Sequence, residues 1–171
     1  METMKAIAWR KSVRSYKPDQ IPDEVLNTIL KAGSSAPVAS GKYDSLHITV
    51  VQNKEIINKI SDAIFELLNG KVSMAFGAPT IIFVSSTQPQ VPGVEYANAG
   101  CVLENMVIAA TDQKIDSILY GGAAAAVGRN DELRKALAIP EGFNPTLCVA
   151  LGYAAEPDEA AKEHTISINH I

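Results

Sequence analysis

The stretch over residues 94–113 constrains this chain more than any other, because it reads as one long helix with little polar surface. Val102, Met106, Ala109 and Ala110 mark one face, and Leu103 and Val107 widen it. A helix that is apolar around most of its circumference is generally buried, so other elements must cover it. Four short runs read as strands that can do so: Leu46–Val51, residues 79–86, residues 118–120 and residues 146–152, each apolar and partly β-branched. The first two are expected to be buried. With 171 residues, 47% of them hydrophobic, the chain is long enough for one domain spanning 1–171 with a substantial core.

Helical patterns surround these strands. Residues 3–10 read as a helix with Met4, Ile7 and Ala8 on one side. A second starts near Pro22 with Asp23 and Glu24 in its first turn, where carboxylates suit the helix dipole, and it ends before Pro37. Asn53 reads as the N-cap of a third, with Ile56, Ile57, Ile60, Ile64, Leu67 and Leu68 on its buried face, and Asn69-Gly70 closes it. Gly121-Gly122 ends the third strand, residues 123–127 form a helical turn, and Asn130 or Asp131 caps a helix through Ala138. Helices and strands mix without strict β-α-β alternation, which argues for an α+β fold rather than a doubly wound sheet. At the end, Ile166, Ile168 and Ile171 alternate with polar residues. That pattern suits a strand added to a sheet edge, on another subunit or on the chain's own sheet.

Five of the fifteen basic residues fall at Lys5, Arg10, Lys11, Arg14 and Lys17, a stretch without an acid in a chain of net charge -4. A hydroxyl at Ser12 between two guanidinium groups and an ammonium suits a dianionic phosphate. A solvated charge run would carry the same residues. The acidic balance and single basic cluster exclude a general nucleic-acid binder. No Cys/His spacing suggests zinc, and Cys101 and Cys148, inside apolar stretches, are expected to be buried free thiols. There is no Walker A sequence, no G-x-G-x-x-G after a strand and no G-x-S-x-G elbow. No apolar run approaches a membrane span and no signal-peptide apolar region opens the chain, so a cytoplasmic protein is expected.

Taken in order, several short motifs resemble the FMN-dependent nitroreductase family. They are Arg10-Lys11-Ser12-Val13-Arg14-Ser15-Tyr16, Ala36-Pro37 after a helix, the strand at 46–51, Gly77-Ala78-Pro79 before Ile81, Asn98-Ala99-Gly100 in the long helix, Tyr120-Gly121-Gly122, and Ala150-Leu151-Gly152-Tyr153. Each is weak alone; their order spans nearly the whole chain. The resemblance implies a mixed, mostly antiparallel sheet flanked by helices, assembled as an intertwined homodimer with FMN at the subunit interface. It also implies ping-pong hydride transfer from NADH or NADPH to the flavin, then to a nitroaromatic, quinone or similar small-molecule acceptor.

By the same resemblance Arg10 and Ser12 hold the FMN phosphate with Lys11 assisting, and Arg14 reaches the pyrimidine edge of the flavin. Pro37, Val38, Ala39, Ser40 and Gly41 pass close to the ring from the partner subunit. Asn69 and Lys71 fall where polar groups reach the pyrimidine, although Asn69-Gly70 equally makes an ordinary helix cap. The backbone of Tyr120, Gly121 and Gly122 approaches flavin O4 and N5, where glycine permits close contact. No side-chain nucleophile or general base is needed, because the cofactor carries the hydride.

The chain departs from the family pattern in three places. Lys42-Tyr43-Asp44 stands where an amide often contacts the flavin, so Lys42 or Tyr43 takes over that role or remains a loop residue. Lys162 or His164 has to replace a C-terminal arginine that closes on the phosphate. The short stretch at 86–94 lacks an inserted cover, so the acceptor range is not fixed by the resemblance. A specialised flavin enzyme, or a flavin-binding or redox-sensing protein without turnover, remains compatible with the same residues.

Overall fold

The computed structural model describes residues 2–70, 76–157 and 165–171. Ten longer elements order the described residues. They are α1 (Thr3–Trp9), α2 (Asp23–Ser34), β1 (Leu46–Val51), α3 (Lys54–Leu67), β2 (Thr80–Ser86), α4 (Val94–Asp112), β3 (Asp116–Tyr120), α5 (Gly121–Gly128), α6 (Asp131–Ala136) and β4 (Asn144–Gly152). The strands form one sheet in the order β1-β2-β4-β3, every neighbouring pair antiparallel. One parallel bridge, Ser12 with Ser117, lays the basic segment along the outer side of β3.

The period of two along each strand divides the core into two layers. Ile81 and Phe83 of β2, Cys148 and Ala150 of β4, and Ile118 and Tyr120 of β3 face α3, α5 and α6. Ile82 and Val84, Val149 and Leu151 face α2 and α4 on the other side. β2 is buried along its whole length because it is central and covered on both faces. α4 is the spine of the second layer, with Val102, Leu103, Met106, Val107 and Ala110 all buried.

Exposure differs from expectation at the margins. β1 is an edge strand, half-buried at five of its six positions and fully buried only at Val51. Met4 and Ile7 of α1 are exposed, as is Cys101 on α4; only Cys148 is the buried thiol expected of both. Gly121-Gly122 ends β3 as expected and also opens α5. The tail at 165–171 forms no strand, and Ile166, Ile168 and Ile171 lie open. No helix among the described residues is long and apolar enough to cross a membrane.

Two local devices fix how these elements meet. The Asn53 side chain accepts from the backbone N–H groups of Glu55 and Ile56, satisfying the first turn of α3. Gly152, at the end of β4, lies against two rings that cannot retreat. A Cβ there would sit 2.7 Å from Pro79 Cδ and 3.0 Å from Tyr16 Cδ1. Gly152→Ala is therefore expected to cost about 1–3 kcal/mol by overpacking. For a chain of this size that lowers Tm by about 2–12 °C. An unchanged Tm in thermal unfolding would overturn this account of the glycine.

Candidate functional site

The basic segment is pinned to the sheet rather than waving from it. Val13 N–H donates to Ser117 O at 3.0 Å, Lys17 N–H to Tyr153 O at 2.8 Å, and Ala155 N–H to Ser15 O at 2.9 Å. Tyr16 is buried at the end of this segment. Between these anchors Arg10 is half-buried while Ser12 and Arg14 are exposed. In an extended chain alternate residues share a side, so these three form one cationic and hydroxyl face. Arg14 Nη1 reaches back to Ser12 O at 3.4 Å. Lys11 is not part of that face: it lines a separate cavity of about 280 Å³ with Trp9, Lys17, Lys114 and Tyr153.

β3 carries the chain directly from Ser117, beside Ser12, to the start of α5. The Tyr120 side chain makes no capping bond, so the first-turn amides at Gly121 and Gly122 are available as donors at the positive end of the helix. Neither glycine has positive φ. A Cβ at Gly122 would meet no atom within 4 Å, so nothing in the fold itself calls for glycine there. Glycine in a helix is about 1 kcal/mol worse than alanine. An unforced glycine beside open space fits close approach by something other than this chain's own side chains.

Beneath this edge lie Tyr16, Tyr120 and Cys148. The thiol of Cys148 donates to Tyr120 O at 2.9 Å. Burial pushes the Cys148 thiol well above its ordinary range. Burial likewise raises the Tyr16 phenol, with Asp116 adding to the shift and Arg14 opposing it. Burial raises Tyr120 too, reinforced by Cys148 and Tyr16. All three stay protonated at neutral pH, which makes them a neutral floor between the arginines and the Asp116 carboxylate.

The segment at 37–41 lies elsewhere. Ala39–Gly41 and Tyr43–Ser45 form two tight helical turns that lead into β1. Ser40 has φ 56° and Gly41 φ 64°. The turn is held by Ala39 N–H donating to Asn98 Oδ1 at 3.0 Å and by the Tyr43 hydroxyl donating to Ala36 O at 3.2 Å. Tyr43 thus braces the loop, while Lys42 is exposed. β1 and β3 are the two outer strands of the sheet, three interstrand steps or about 14 Å apart. The basic face lies one step further out. The structure therefore brings Arg10, Ser12, Arg14, Tyr120, Gly121 and Gly122 to one edge, and Pro37, Val38, Ala39, Ser40 and Gly41 to the other.

Asn69 closes α3. Its N–H donates to Glu66 O and that of Gly70 to Phe65 O, with φ 53° and 76°, the paired bonds of a Schellman cap. Lys71, Lys162 and His164 lie outside the described residues. No group of metal-ligating side chains occurs among the described residues. Asn98 was visible in the sequence only as a landmark. The signal for its role is a lone amide among the small residues Ala97, Ala99 and Gly100.

The nitroreductase family model matches residues 7–73 and 66–153. A relative from Methanothermobacter thermautotrophicus, whose name provisionally assigns it as an NADH dehydrogenase/NAD(P)H nitroreductase, is 28% identical over 158 residues, 91% of this chain and 79% of its own length. A nitroreductase with bound FMN from Bacteroides fragilis superposes with a TM-score of 0.82 at 29% identity, covering 99% of this chain and 100% of that one. Another with bound FMN, from Desulfitobacterium hafniense, gives 0.88 at 26% identity, covering 100% and 99%.

Proposed function

We propose, since this chain belongs to the nitroreductase family, that it is an FMN-dependent NAD(P)H oxidoreductase reducing small-molecule acceptors such as nitroaromatics or quinones. The observation that carries this reading is the single edge on which a cationic-hydroxyl face, free helix amides and an unforced glycine coincide. When bound, FMN supplies the transfer of a hydride between nicotinamide and acceptor. The chain supplies the rest. Arg10 and Ser12 bind the phosphate by charge-assisted hydrogen bonds. Arg14 holds positive charge where negative charge gathers on reduction, stabilising it electrostatically. The α5 amides orient the ring's oxygen and nitrogen edge, and Gly122 lets it approach.

Pro37, Val38, Ala39, Ser40 and Gly41 complete the site from a second copy, because in one chain they stand across the sheet from the arginines. Surfaces left open in the protomer support a homodimer. Tyr96 and Cys101 are exposed along α4. Ile166 is 87% and Ile168 78% exposed in the tail. Isolated chains seldom leave such apolar surface open.

The test is flavin content and turnover on one preparation. Absorbance in the flavin bands with consumption of NADH or NADPH in the presence of a nitroaromatic or quinone is expected. Colourless protein refutes the flavin site. Coloured protein without turnover makes it a flavin-binding or sensing protein instead.

A further inference from the structure

Beside the strained turn at Ser40 lies a cavity of about 230 Å³, closed by the segment after β2 and by the first turns of α4. Ser40, Lys42, Gln88, Gln90, Glu95 and Asn98 give it its polar character, and no aromatic ring lines it. It is smaller than a pocket for a drug-sized molecule. Its polar groups are unevenly committed. Glu95 Oε2 already accepts from Gly93 N–H at 2.8 Å. Asn98 is 7% exposed, and its Oδ1 is fixed as the acceptor for Ala39 N–H, because a backbone N–H can only donate. Asn98 Nδ2 therefore points away from that bond; it reaches solvent and has no partner among the described residues. The backbone of Lys42 is held at its carbonyl by Ser45 Oγ at 2.6 Å, which leaves the ammonium to extend from a fixed stem. Lys42 and Glu95 put one charge of each sign on the wall, and Glu95 is the one already engaged by the backbone.

We propose that this cavity selects the electron acceptor, admitting compact molecules that carry a carboxylate or similar anionic oxygen group, with Lys42 and Asn98 as the residues that set the specificity. The inference rests on the proposed function, which brings the turn at 37–41 to the flavin. The physical reason is asymmetry. A neutral aromatic finds no ring to stack on and would cover Asn98 Nδ2 without giving it a partner, whereas an anionic oxygen would accept from it with an ammonium on the same wall. Ser40 keeps its left-handed backbone because Asn98 anchors Ala39 next to it. The residue that recognises the acceptor thereby also holds the turn that shapes the cavity.

The experiment compares 4-nitrobenzoate with 4-nitrotoluene, of nearly the same shape, in steady-state kinetics on the flavin-loaded protein. The parent is expected to favour the carboxylate in kcat/KM by about tenfold or more, the worth of one charge-assisted contact. Lys42→Met should erase that preference through KM, and Lys42→Arg should keep it. Asn98→Asp retains an acceptor for Ala39 N–H but replaces the free donor by an anion, so the preference should reverse. A parent that uses 4-nitrotoluene equally well, or a Lys42→Met variant whose ratio is unchanged, overturns the proposal. Flavin absorbance on each preparation separates this from failure of the functional reading. In flavin-free protein the same question is decided by equilibrium dialysis of benzoate: binding weakened in Lys42→Met supports the cavity, and no binding to the parent refutes it.

Discussion

Replacing Arg10 and Arg14 together by alanine is expected to leave the protein folded but without its flavin. Arg14 is exposed, and its one described hydrogen bond, to Ser12 O at 3.4 Å, is at the long limit of such contacts. The segment is held by backbone bonds to Ser117, Tyr153 and Ala155, none of which involves an arginine side chain. Truncation therefore costs the fold little. Cofactor binding loses two charge-assisted contacts of about 1.5–3 kcal/mol each, together about two to four orders of magnitude in affinity. Titration of flavin-free protein with FMN measures the loss, and circular dichroism verifies the fold. Riboflavin, which lacks the phosphate but keeps the pyrimidine edge, should lose only the Arg14 share of that affinity. FMN affinity undiminished in the double variant would remove the phosphate site.

Gly122→Leu should separate stability from cofactor binding with opposite signs. The position is half-buried in the first turn of α5, has no positive φ, and offers a new Cβ open space within 4 Å. Leucine is a better helix former than glycine by up to about 1 kcal/mol, so Tm of the flavin-free protein should hold or rise by about 2–4 °C. The same side chain would fill the volume through which the flavin ring meets the helix amides, and bound flavin should fall below detection. Gly122→Ala should show a smaller loss. A leucine variant that stays yellow would mean that the ring does not lie against this turn.

These two expectations rest on features of unequal visibility in the sequence. β2 and β4 could be read directly, because apolar residues facing both sides are the signature of a strand covered on both faces. The same reading was too strong for Leu46–Val51, where His47 and Thr49 alternate with Leu46 and Ile48 and where the place at the sheet edge depends on strand order, a non-local property. Cys101 misleads for a related reason: an apolar neighbourhood in sequence does not say which side of α4 the fold covers. Asn53 was legible because capping is local. Gly121-Gly122 was legible as the end of β3; that the pair also begins α5 depends on the tertiary contacts of Ala123, Ala124, Ala126 and Val127, all buried. Of the candidate site, the basic face could be read as charge, but not that Lys11 leaves it. The role of Asn98 emerges only when Ala39, fifty-nine positions earlier, lands on its amide.

The separation of the arginine edge from the Ser40 edge also bears on how the protein behaves at low concentration. A prosthetic group gripped by two copies at once ties its own release to their parting, so dilution and loss of colour become one mass-action process. Scarce cofactor would then act as a brake on assembly, and plentiful cofactor as its glue.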